Sequence, residues 1–376
     1  MPALAFSSNF LWVMVIGLLG PSLPSMIADL GMGYGQAGFL FTLLSLGSLF
    51  GTGLGAFATD YVDRKRLYAA CALVLALGLF SIGFTSSYAG VATIVFLLSL
   101  LGSPIGAIGQ SIMLDMFPDR RERNLSMQTF FAAMGSFLAP LLISLNFTIG
   151  MSWRWPFMET GLIALLLFAA VLKTPIPATR RGAGRPRALS LLDDRKLLAI
   201  AALIFLSVGV DLGFSYWLAE YFKTGLHTPL RLSSVIVGFY LVGIIAGRLS
   251  LTRLLRRFDA MSVLSAGLGL AIACILVFIL AKPIPVKIVA CVLYGLGAGP
   301  VFPLLMSMGV KRKPDSPGAV TGLLFAFMSL GGMVFPFVTG AIAAGVGIGR
   351  SFFFNAAVAG IILVAVLAMR RSMKRG

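Results

Sequence analysis

Residues 118–140, PDRRERNLSMQTFFAAMGSFLAP, return half a chain later as PDSPGAVTGLLFAFMSLGGMVFP at 314–336. Pro118, Asp119, Phe131, Gly135 and Pro140 match Pro314, Asp315, Phe327, Gly331 and Pro336. Every pair has the same offset of 196, with no gap. A segment that recurs at such a distance marks an internal duplication. Two weaker echoes accompany it. GAFATDYVDRKR at 55–66 aligns with GRLSLTRLLRRF at 247–258, pairing Gly55 with Gly247, at an offset of 192. GSPIG at 102–106 aligns with GLGAG at 295–299, at an offset of 193.

The rest of the composition says what kind of chain was duplicated. It has 376 residues, 59% of them hydrophobic and only 11% charged. Soluble domains carry about 25% charged residues, so water cannot be the solvent for most of this surface. Apolar runs fall near 8–28, 36–58, 68–86, 89–113, 126–147, 156–172, 197–218, 233–252, 261–281, 286–309, 317–344 and 350–369. Each is long enough to cross a bilayer as a helix. Pro21 and Pro24 are expected to bend or end the first. The expected fold is an all-α membrane protein of twelve transmembrane helices in two pseudo-symmetric six-helix halves. Residues 1–172 form the N-terminal half and 197–376 the C-terminal half. Residues 173–196, rich in Pro, Gly and Arg, form a basic cytoplasmic linker. A duplicated chain of this kind points to a transporter working between its halves.

The net charge of +17 does not indicate a nucleic-acid partner. Twenty-three of the thirty basic residues lie in the even-numbered connections and the C-terminal tail. The odd-numbered connections hold Arg154, Lys223, Arg231, Lys282, Lys287 and Arg350, and Arg248 lies within an apolar run. The positive-inside rule then places both termini in the cytoplasm of a multi-pass protein, expected in a bacterial inner membrane. The first apolar run has no basic residues ahead of it, so it reads as a span and not a signal peptide. Cys71, Cys274 and Cys291 fall inside runs and read as small core residues. No catalytic order, phosphate loop or metal spacing is present, so neither an enzyme nor a cofactor is expected. GLGAG at 295–299 has no strand before it and reads as helix packing.

With these residues in view the chain resembles the major facilitator superfamily over nearly its whole length. The family signature between helices 2 and 3 falls on AFATDYVDRK, 56–65, where Asp60, Arg64 and Lys65 match and Ala56, Tyr61 and Asp63 depart. Within the family it is most similar to the fucose–proton symporter-like branch. Leu125, Met127, Gln128, Phe130, Phe131, Gly135 and Pro140 match its helix 5 pattern, with Gln128 at a His position. Gln110 ahead of Pro118 stands where helix 4 often has Asn. Val208, Gly209, Val210, Asp211, Trp217 and Tyr221 match helix 7, and Gly247 and Arg248 match helix 8. Gly295, Gly297, Pro300 and Pro303 match helix 10. The resemblance implies substrate binding in a central cavity and a conformational gate at Asp60, Arg64 and Lys65. The carboxylates that proton-coupled members use within helices 1 and 4 have no mid-membrane counterpart here. Asp115 lies near the helix 4 end, and Leu98 replaces the Arg of many drug–proton antiporters.

Asp211 is the sharpest candidate. Fourteen residues of rise place it roughly 21 Å into a core about 30 Å thick. A carboxylate there must be protonated, paired or in a water-filled cavity. It is read as a substrate-binding and proton-coupling residue, the alternative being a structural bond between helices. Gln110, Gln128, Asn9, Tyr216, Tyr240 and Tyr294 are further substrate-binding candidates, because amides and phenols donate and accept hydrogen bonds. They can equally bind helix to helix. Arg248 reads as a gate or interhelix anchor. Trp153, Arg154, Trp155 and Trp217 read as an interfacial belt, and His227 as a solvated loop residue.

The expectation is therefore a monomeric secondary active transporter of a small polar solute, a sugar, polyol or organic acid, by alternating access. Protons are the candidate coupling ion, and membrane lipids are the remaining partners. The rivals are a drug or metabolite exporter of the same fold, and a non-transporting membrane sensor or scaffold.

Overall fold

The computed structural model describes residues 1–58, 61–176, 191–313 and 316–375. Among these, twelve helices are long and apolar enough to cross a membrane. They are α1 (Pro2–Leu30), α2 (Tyr34–Ala58), α3 (Arg64–Phe84), α4 (Tyr88–Met116), α5 (Arg121–Thr148) and α6 (Trp155–Lys173). After the linker come α7 (Arg195–Gly225), α8 (Leu230–Leu254), α9 (Ala260–Leu280), α10 (Ile284–Arg312), α11 (Pro317–Val346) and α12 (Ile348–Arg375). Most of the 173–196 segment lies outside the described residues, as do Asp60, Pro314 and Asp315.

The duplication is a matter of register. α2 and α8, α3 and α9, and α4 and α10 begin at residues 196 apart. Asp63 accepts a hydrogen bond from the Arg66 amide at 3.0 Å and caps α3; Asp259 does the same for Ser262 at 2.9 Å and caps α9. Both caps supply an acceptor to an orphan first-turn amide. α4 breaks at Ser103 before Pro104, and α10 breaks at Gly299 and Pro300.

The same 196 offset governs glycine packing and corrects the 192 and 193 offsets read from the weaker echoes. A methyl added to Gly51 would run into the Leu100 carbonyl of α4, and one added to Gly247 into the Leu296 carbonyl of α10. Gly47 and Gly243 meet the Phe96 and Val292 carbonyls in the same way. The structural partner of Gly247 is thus Gly51, not Gly55. Glycines 47, 51 and 55 repeat every helical turn, so a slip of four residues preserves the small-residue pattern and deceives a sequence comparison. Small residues are what allow two helix backbones this close in lipid. Gly135 lies against the Phe10 carbonyl of α1, and Gly331 against the Phe205 carbonyl of α7. The glycine in the opening repeat is therefore the point where α5 crosses α1 and α11 crosses α7.

Two compact units result. One comprises Met1–Gly33, Leu40–Ala183 and Pro229–Val235; the other comprises Tyr34–Phe39, Gly184–Thr228 and Ile236–Gly376. In the first, α1 packs on α5 and α3 on α6; in the second, α7 packs on α11, and α9 on α10 and α12. The first residues of α2 belong to the second unit, and those of α8 to the first.

Other expectations need correction. α1 runs unbroken through Pro21 and Pro24 and ends at Gly31, whose φ of 61° is left-handed. Residues 20–24 are all buried, and packed neighbours tolerate the two lost amide donors. Trp153 and Trp217 are buried, so neither presents its ring to lipid as a belt residue would. Trp153 donates to Asp29 Oδ2 at 3.2 Å, and Trp217 to the Pro336 carbonyl at 3.0 Å. Each indole carries one donor that must be satisfied once buried, and a polar group from the neighbouring helix satisfies it. Trp155 is exposed. Lys287 is not a loop cation: it is buried in α10, and its ammonium donates to the Phe278 carbonyl at 2.5 Å, near the end of α9.

Candidate functional site

The break in α7 after Ser215 sets the first cluster. Asp211 stands one turn before that break, part-buried, and Tyr240 of α8 donates its hydroxyl to Asp211 Oδ1 at 2.7 Å. Tyr294 of α10 lies 6.1 Å from Tyr240, ring centre to ring centre. Phe214 packs on both rings, 6.5 Å from Tyr240 and 4.5 Å from Tyr294. Tyr240 and Tyr294 are almost fully buried. Tyr216 follows Asp211 on the same helix, at the break itself.

Asp211, Tyr294 and Arg248 line one cavity of about 50 Å³ with Ser207, Gly299 and Phe302. A water needs roughly 10–15 Å³ of such volume, so the cavity is sized for a few waters. Its walls join a carboxylate, a phenol and a guanidinium around a water-sized space inside an apolar bundle. Such a space can hold a proton or charge that lipid would exclude.

A second cluster lies in the other unit. Asn9 of α1 donates to the backbone carbonyl of Gln128 on α5 at 3.2 Å. Gln128 is buried and sends its amide toward the Gly106 carbonyl of α4 at 3.5 Å. Its side-chain oxygen is buried with no hydrogen-bond partner among the described residues. A free acceptor held at the meeting of three helices is a place where a donor group on a ligand or a water gains a bond. Gln110 is part-buried on the second segment of α4 and makes no bond with this pair.

Of the residues expected to form the gate, Asp60 lies outside the described residues. Arg64 is paired with Asp115 at the end of α4, an ion pair between two helix ends that the sequence did not identify. Lys65 stands in the first turn of α3. Arg248 is exposed on α8 apart from its part in the cavity.

Sequence reading missed a third polar centre. Glu220 is buried at the end of α7 and accepts a hydrogen bond from Tyr34 at 3.0 Å. The Tyr34 ring stands edge-on to Trp217, 5.6 Å away. The apolar run read from the sequence, 197–218, stops short of Glu220. The available signal was an acid between two aromatic pairs, Tyr216–Trp217 and Tyr221–Phe222.

The sequence profile of the Major Facilitator Superfamily matches residues 5–336. The chain belongs to that superfamily. Protein TsgA of Shigella flexneri is 26% identical over 312 residues, 80% of this chain and 77% of its own. A TsgA homolog of Buchnera aphidicola is 19% identical over 331 residues, covering 88% and 85%. Among solved structures, the nucleoside transporter NupG superposes with a TM-score of 0.81 at 17% identity, over 98% of this chain and 97% of that one. A bacterial homolog of the human lysosomal transporter Spinster gives 0.78 at 15% identity, over 99% and 96%. At these identities the structures speak to fold alone. This major facilitator protein is a multi-pass integral membrane transporter of small molecules and not an enzyme.

Proposed function

We propose that this major facilitator protein moves a small polar solute by alternating access, with Asp211 as the titrating residue. The observation that carries the proposal is the Asp211 carboxylate within α7, bonded to Tyr240 and sharing a cavity with Arg248. An ionisable group at that depth costs several kcal/mol unless it has work and partners, and here it has both water-sized space and partners. Substrate contact falls to Gln128, Asn9 and Gln110 in one unit and to Asp211, Tyr216, Tyr240 and Tyr294 in the other. The amides and phenols suit hydroxyl-bearing ligands: sugars, polyols, organic acids and, given the nucleoside transporter among its structural relatives, nucleosides. Arg64, Lys65, Asp60 and Arg248 serve the gate. The chain works as a monomer in the bacterial inner membrane with both termini cytoplasmic, as its basic loops suggest.

The experiment is a ligand-stabilisation screen over these classes, then uptake of the hit into proteoliposomes at imposed pH gradients. Asp211→Asn is expected to abolish the response to the gradient. Normal uptake that still follows the gradient in this variant would overturn the role of Asp211.

A further inference from the structure

On the second unit a groove of about 460 Å³ runs between α8, α9 and α10. Its apolar walls are Leu254, Phe258, Val263, Leu270, Leu296 and Pro300. Its floor is Gly267 and Gly297, which face each other so closely that a methyl on either would strike the other's carbonyl. Close backbone approach leaves no side chain above the contact, and the trough follows from that.

The residues that define the groove differ at the corresponding positions of the first half. At the positions 196 residues earlier, Cys71 and Leu101 stand for Gly267 and Gly297. Phe57, Asp60 and Tyr61 stand for Arg253, Arg256 and Arg257. Those three arginines are exposed and flank Leu254 and Phe258 at the α8–α9 end of the groove. Arg370 of α12 reaches the same rim, where it donates to the Ser262 hydroxyl. The carboxylate there, Asp259, already accepts from the Ser262 amide and hydroxyl. In the second half an apolar trough with room for an alkyl chain and three exposed arginines next in sequence to two of its lining residues thus occur together.

We propose that this groove is a binding site for an anionic phospholipid. One acyl chain lies over Gly267 and Gly297, and the phosphate meets Arg253, Arg256 and Arg257. Guanidinium forks bind phosphate oxygens in pairs, and basic pockets between spanning helices recognise lipid headgroups by charge. The alkyl chain contributes through burial and close contact rather than through charge.

The test is thermal unfolding of the full chain in detergent with added phosphatidylglycerol, phosphatidylcholine or inorganic phosphate. Phosphatidylglycerol is expected to raise the melting temperature by about 2–4 °C or more, and the other two to leave it unchanged. Equal gains from phosphatidylcholine would overturn the headgroup recognition, and an equal gain from phosphate alone would overturn the lipid. Ala266 lines the groove and is exposed, so A266W fills it without entering the helix contact. A266W and the triple variant R253Q/R256Q/R257Q are each expected to lose the phosphatidylglycerol gain. Retention of that gain by both folded variants counts against the site. Native mass spectrometry of the wild-type chain gives a reading independent of the variants, with one retained phosphatidylglycerol expected and none sinking the proposal.

Discussion

Tyr240 donates its hydroxyl hydrogen to Asp211 Oδ1 at 2.7 Å, and so ties α8 to α7 within the second unit. Two residues that share one buried bond do not act additively. Y240F and D211N should each lower the melting temperature, whereas the double variant should lose less than the sum. The expected coupling is about 0.5–3 kcal/mol. Strict additivity in a double-mutant cycle would mean that the bond does not form in the folded protein.

Gly51 and Gly247 each press on a carbonyl of a broken helix, Leu100 of α4 and Leu296 of α10. G51L and G247L should each destabilise by about 1–3 kcal/mol, since neither the added side chain nor the facing backbone can yield. Gly53 on the same helix has nothing within 4 Å of an added Cβ. G53A should therefore be neutral or stabilising by roughly 0.5–1 kcal/mol, because alanine suits a helix interior better than glycine. Similar melting temperatures for G51L and G53A would refute this packing.

The bond between Tyr34 and Glu220 fastens the first turn of α2 within the second unit. Thr224 and Lys223 are the other polar groups near the carboxylate. Y34F removes the donor and leaves a buried acceptor unpaired, at a cost of about 1–3 kcal/mol. The local consequence is faster amide exchange at residues 34–39 with little change in α3, as expected when a single anchor of a helix end is cut. Unchanged exchange there would show that Trp217 and Gly38 packing suffices.

A pH dependence follows at the cap of α9. The Ser262 hydroxyl and amide, which bond to Asp259, hold its carboxyl below the usual carboxylate range. Because the folded value is the lower one, the stabilisation is present above the unfolded value of about 4 and is lost as pH falls through the folded value. Protection of the Ser262 amide, corrected for its intrinsic exchange rate, should therefore fall as the pH drops below about 4 in the wild-type chain. In D259N, which caps without titrating, that protection should stay flat.

Much of the architecture was legible because lipid imposes one strict rule: a spanning segment must satisfy its own backbone, so apolar run length alone marks each helix. The twelve spans and the 196-residue repeat came from that. Their finer register did not, because glycines 47, 51 and 55 repeat once per turn and a slip of four looks the same in a string of letters. Asp211 was legible as a charge out of place. Its bond to Tyr240 was not, because 29 residues and the connection between α7 and α8 separate them.

The candidate site divides in the same way. Composition, periodicity and loop charge by themselves determined a duplicated membrane transporter and singled out Asp211, Gln128 and Arg248. Only the tertiary structure decided that Glu220 is buried beside Tyr34, that Trp153 and Trp217 are structural donors, and that Gly267 and Gly297 open a groove. The physical reason is that helix periodicity and hydropathy are local properties, readable within one turn. The partner of a buried polar group is chosen by which helix faces it, and that is settled only when the bundle closes.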